Sequence, residues 1–107
     1  MLVRADFAEA RAMPRQQSGL TRAEELLKQA EALIGKREFA GAQAAAEESL
    51  TLREAALGRS HLLVASSLDM LGVILFYRGD LTKAEATLSR ALDITRKNPK
   101  ATFDERA

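Results

Sequence analysis

Shifted by 42 residues, this chain matches itself in two places at once. Glu38 then meets Asp80, Phe39 meets Leu81, Ala42 meets Ala84, Leu50 meets Leu92 and Leu52 meets Ile94. At the same shift Ala23 falls on Ala65, Leu26 on Leu68, Ala30 on Gly72 and Leu33 on Leu75. One register that aligns two separate apolar patterns marks a duplicated unit, and each unit carries two such patterns. A chain built this way stacks its copies side by side, because one copy cannot bury its own apolar face.

The patterns are helical. The most apolar run is His61 to Arg78, in which Leu68, Leu71, Gly72 and Leu75 fall at i, i+3, i+4 and i+7. Val64, Ala65, Met70, Val73, Ile74, Phe76 and Tyr77 spread apolar character around the remainder, which predicts a central helix covered on several sides. Four helices are expected, at about 20–37, 39–57, 61–78 and 81–97. Thr21-x-x-Glu24 reads as a capping box opening the first. Ala23, Leu26, Leu27, Ala30, Leu33 and Ile34 face inward, and Glu24 with Lys28 makes an i,i+4 pair outside. Ala42, Ala46, Ser49, Leu50 and Leu52 form the inner face of the second helix, and Gly58 closes it as a left-handed cap. Ser60 caps the third and Asp80 the fourth. In the fourth, Leu81, Ala84, Leu88, Ala91, Leu92 and Ile94 face inward before Asn98-Pro99 stops it. Upstream, Leu2 to Met13 reads as a short helix ended by Pro14, with a linker from Arg15 to Gly19. Gly72 sits in mid-helix, where glycine costs ~1 kcal/mol against alanine, so close helix approach is its expected role. Leucine there would overpack, and alanine is expected to be near neutral.

Composition narrows the function. Of 107 residues, 47% are hydrophobic and 29% charged, with 16 basic and 15 acidic side chains interspersed to a net charge of +1. No basic stripe points to nucleic acid or to an anionic membrane. The longest apolar run, Met70 to Tyr77, is far short of the ~20 residues of a spanning helix, and charged residues occupy the N-terminal stretch. A cytoplasmic chain is the expectation. With no cysteine, disulfides, iron–sulfur clusters and thiolate zinc sites are excluded. His61 is the single histidine and has no nucleophile or carboxylate spaced to serve it, so it reads as structural. Glu24-Glu25 and Glu47-Glu48 read as solvated helix faces, and the scattered glycines form no phosphate loop. No enzyme activity, cofactor or metal is expected.

The second copy reads Leu68-x2-Leu71-Gly72-x2-Leu75, then Ala84-x3-Leu88-x2-Ala91. That spacing resembles the tetratricopeptide repeat, with leucine where tryptophan, tyrosine and phenylalanine are usual. The first copy departs further, with Gln29 at a large apolar position and the small Ala46 and Ser49. The 42-residue period and Leu57-Gly58-x2-His61-Leu62-x-Val64-Ala65 are similar to the kinesin-light-chain subtype, with Leu62 where proline is usual. The resemblance implies an all-α fold of antiparallel helix hairpins stacked as a right-handed α-solenoid. It divides the chain into an N-terminal extension at 1–19, repeats at 20–58 and 59–99, and a tail or truncated third repeat at 100–107.

It also implies a non-enzymatic module that binds a protein or peptide partner on a concave face lined by the first helix of each repeat. The matching positions are Glu24, Leu27, Glu31 and Ile34 in the first copy and Ser66, Asp69, Val73, Phe76 and Tyr77 in the second. The paired asparagines common in the subtype are replaced by Asp69-Met70, which leaves an acidic group beside an apolar patch. Two alternatives stay open: a regulatory segment of a larger bacterial effector such as an ATPase or caspase-like protease, and a structural oligomerisation domain. Self-association through the open repeat end, at Leu81, Leu88 and Leu92, belongs to the same expectation.

Overall fold

The computed structural model describes residues 15–98, which form four helices: α1 (Arg15–Gly35), α2 (Phe39–Leu57), α3 (Leu62–Tyr77) and α4 (Leu81–Arg96). Short turns make consecutive helices antiparallel neighbours, α1 packing on α2, α2 on α3 and α3 on α4, with α1 also touching α3. The expected helix at Leu2–Met13 and the tail or truncated third repeat at 100–107 lie outside the described residues.

The 42-residue register is repeated bond by bond in the two hairpin turns. The Leu33 carbonyl accepts from Glu38 N–H at 2.8 Å, and the Leu75 carbonyl accepts from Asp80 N–H at 2.9 Å. Arg37 N–H donates to Ile34 O at 2.9 Å, as Gly79 N–H does to Phe76 O at 3.0 Å. Both turns need a left-handed residue at the same place, Arg37 with φ 61° and Gly79 with φ 85°. Glycine adopts this without strain, whereas an L side chain there costs ~1 kcal/mol. Glu38 O and Asp80 O then accept the first bonds of α2 and α4, from Ala42 at 3.1 Å and Ala84 at 2.9 Å.

Equivalent positions share equivalent burial. Ala23 and Ala65, Leu26 and Leu68, Ala30 and Gly72, Ala42 and Ala84, and Ser49 and Ala91 are all buried. Two apolar clusters result. One joins Leu26, Ala30, Ala42, Ala45 and Ala46 to Leu71, Ile74, Leu75 and Ala84. The other joins Val64, Ala65 and Leu68 to Ala91 and Ile94, and Leu50 packs against both. Gly72 is a close-approach position, as its place in the register implies. A Cβ on Gly72 would lie 2.4 Å from Leu88 Cδ2 and 2.5 Å from Leu88 Cγ. Alanine there requires the Leu88 side chain to shift, and the cost of that shift decides whether the substitution is neutral.

Several local expectations are corrected. α1 begins at Arg15, so Arg15–Gly19 is helix and not linker, and Thr21 lies inside α1 instead of capping it. α1 passes through Gly19 close to α2, where a Cβ would meet Leu52 at an ordinary 3.7 Å. Glu24 and Lys28 form no ion pair; the ion pairs among the described residues are Arg22–Glu48, Arg59–Glu54 and Arg90–Glu54. The cap of α3 is His61, not Ser60: Leu63 N–H donates to His61 Nδ1 at 3.0 Å. Ser60 instead offers its carbonyl to Asn98 Nδ2 at 3.5 Å. Gly58 has φ 87° and ψ 169°, an extended positive-φ conformation open to glycine alone and not the left-handed helical one. Leu81, Leu88 and Leu92, expected inward, are exposed. Asp80 caps α4 as its position predicts, accepting from Lys83 N–H at 3.3 Å.

Candidate protein-binding groove

α3 is not covered on every side. Its buried residues, Val64, Ala65, Ser67, Leu68, Leu71, Gly72, Ile74 and Leu75, face α2 and α4. The remaining stripe is open, with Ser66 and Asp69 exposed, Val73 at 41%, Phe76 at 59% and Tyr77 at 58% exposure. The correction follows from the number of neighbours: three helices touch α3, and α1 does so only lightly. On α1, Glu24 and Glu31 are exposed while Leu27 and Ile34 are half-buried. All nine residues named from the sequence thus remain accessible on the two helices that begin each hairpin.

The groove has two unlike ends. At the C-terminal ends of α1 and α3, Ile34, Gly35, Arg37, Phe39 and Tyr77 line a recess of about 320 Å³. Phe39 and Tyr77 stack there, centroids 5.4 Å apart and planes at 18°, and Phe76 meets Tyr77 edge-on at 6.0 Å. Phe39, the first residue of α2, fixes the Tyr77 ring from below, so Tyr77 is presented with little rotamer freedom to lose. The sequence reading missed Phe39, because a residue at a helix start carries no periodic signal of the face it joins.

At the other end, Leu20, Thr21, Glu24, Arg53 and Leu63 line a cleft of about 240 Å³. Arg53 is only 5% exposed. Its Nη1 donates to Leu63 O at 3.0 Å and to Ser67 Oγ at 3.2 Å. Burial lowers the Arg53 pKa and the carboxylate of Glu24 raises it in part, so the guanidinium stays charged. Ser49 Oγ donates its one proton to Ala23 O at 2.9 Å and lies 3.0 Å from Ser67 Oγ. Ser67 must then be the donor to Ser49, which orders the chain of bonds as Arg53, Ser67, Ser49, Ala23. This network ties α1, α2 and α3 where the two hairpins meet. Sequence reasoning placed Ser49 inward but missed Arg53 and Ser67. The available signal was spacing, since Arg53 follows Ser49 by four residues on the same helical face.

On α3, burial pushes the Asp69 carboxyl above the usual carboxylate range. Among the described residues no group of histidine, aspartate and glutamate side chains converges as a metal site would need, and His61 Nδ1 is committed to its cap.

Two helix hairpins with matching turns and burial at a fixed register, open along their first helices, define a stacked helical-repeat protein. The chain belongs to the tetratricopeptide repeat family, whose model matches residues 21–97. Repeats of this family are non-enzymatic and bind protein partners. No helix among the described residues is long and apolar enough to cross a membrane. Neither the curated proteins nor the solved structures searched gave a match to the chain.

Proposed function

We propose that this chain docks a peptide segment or helix of a partner protein in the groove between α1 and α3. The observation that carries this reading is the open stripe of α3: the most apolar helix of the chain leaves Val73, Phe76 and Tyr77 unburied while its other faces are sealed. A bulky apolar side chain of the partner would sit against Phe76, Tyr77 and Ile34, where aromatic surface gains much burial for few frozen rotamers. Away from that anchor the 42-residue register pairs Glu31 with Val73, then Leu27 with Asp69, then Glu24 with Ser66, so the carboxylates of Glu31, Asp69 and Glu24 follow one another along the groove and favour a lysine or arginine beside the anchor. In this reading the repeats act as a cytoplasmic adaptor module.

Phe76 is the residue to replace, since Tyr77 is also held by Phe39. In a fluorescence-polarisation screen of short peptides, those pairing a basic residue with a large apolar one should bind best. Phe76→Ala should weaken them about tenfold, the scale of one exposed aromatic anchor, with the helical circular dichroism unchanged. If binding is indifferent to Phe76→Ala and to the peptide's apolar residue, the groove is not the docking site.

A further inference from the structure

The internal register compares the two ends of the stack. On α4, Leu81, Glu85, Leu88, Leu92 and Arg96 follow one another at helical spacing and are all exposed. The α2 counterparts of the first four are covered instead. Phe39 stacks on Tyr77, Gln43 Oε1 accepts from Arg78 Nη1 at 2.8 Å, Ala46 is fully buried, and Leu50 packs on Val64, Ala65 and Leu68. The same flank is therefore filled on α2 and open on α4, with Leu81 59%, Leu88 37% and Leu92 50% exposed.

The α1 end does not supply the missing cover. The residues of α3 turned to α2 include Val64, Ser67, Leu71 and Ile74, all buried. At the same register α1 carries Arg22, Glu25, Gln29 and Ala32, all exposed. Stacking α1 of a second copy on α4 would press two charges and an amide onto leucines without partners, a costly burial. Head-to-tail growth is disfavoured, and a two-fold pairing of like surfaces remains.

We infer that α4 pairs antiparallel with α4 of a second copy, making this chain a homodimer through its C-terminal flank. With the two-fold axis near the height of Arg90, Leu88 of each copy lies opposite Leu92 of the other. Glu85 of each copy then lies beside Arg96 of the other, and neither is in an ion pair within its own chain among the described residues. Leucines at the centre with one charge pair at each edge give the surface its self-complementarity. The contact is small, so the dimer is weak and concentration-dependent. It leaves the groove between α1 and α3 free, so this dimer and partner docking stand or fall separately.

Sedimentation equilibrium of the full chain over a wide concentration range tests this. The expected result is a monomer–dimer equilibrium. Leu92→Lys should give a monomer with unchanged helical content; Leu88 is left alone because it packs on Gly72. Glu85→Arg and Arg96→Glu should each weaken the dimer at low salt, and the two together should restore it. A wild-type monomer at every concentration, a ladder of higher oligomers, a dimer that survives Leu92→Lys, or a double charge swap without rescue would each overturn the proposal.

Discussion

The pair Gly72 and Leu88 shows how a single position is set by its opposite number. In the first hairpin the equivalent residues are Ala30 and Ala46, both fully buried. The second hairpin fills the same place with nothing on one side and leucine on the other. Alanine at Gly72 would gain ~1 kcal/mol of helix propensity but drive its Cβ into Leu88. Overpacking of that kind costs ~1–3 kcal/mol, so Gly72→Ala should destabilise the chain by about 1 kcal/mol net. In a Leu88→Ala background the obstacle is gone, and the same substitution should stabilise by up to ~1 kcal/mol. Urea unfolding of the four variants measures the change of sign; a stabilising Gly72→Ala in the wild-type background would mean that Leu88 swings aside without cost. The small residue was legible in the sequence, whereas the Leu88 side chain that a methyl there would meet came only from the packing of α3 on α4.

At the scale of the element, α3 is where the sequence misleads most. Its composition is apolar almost all round, and hydrophobic pattern alone reports what a helix could bury, not how many neighbours it has. Asp69 records the outcome: it sits on the open stripe, yet close enough to apolar surface for burial to raise its pKa. The folded chain therefore holds that proton more tightly than the unfolded chain does. Stability from this group is fully present below the unfolded pKa and is lost as pH rises through the raised folded one. Asp69→Asn should accordingly raise the melting temperature at neutral pH and leave it unchanged in acid, where both side chains are neutral. Thermal melts at the two pH values check this, and a lower melting temperature at neutral pH would show that the Asp69 carboxylate is held by a favourable partner. In the docking reading, a cationic ligand binds the ionised form and weakens as pH falls through the same range.

For the molecule as a whole, the join between the hairpins rests partly on polar atoms. Ser49 aligns with Ala91, so the first copy carries a hydroxyl where the second carries a methyl. Judged by the repeat, Ser49→Ala is a harmless swap. Judged by the structure, it removes the side-chain donor to Ala23 O and leaves the buried Ser67 hydroxyl without its acceptor, which should cost ~1–3 kcal/mol. Chemical denaturation compares Ser49→Ala with Thr51→Ala, an exposed change on the same helix; equal losses would show that the network contributes nothing. The difference between the two judgements separates what the chain wrote locally from what assembly decided. Helix type, turn positions, repeat register and the small residues at the packing face follow from periodicity and φ preferences within one hairpin, so the sequence alone determined them. The start of α1, the His61 cap, the buried Arg53 and the open stripe of α3 depend on groups far apart in the chain. Only the tertiary structure settled those, because burial and hydrogen bonding belong to neighbours that no local pattern names.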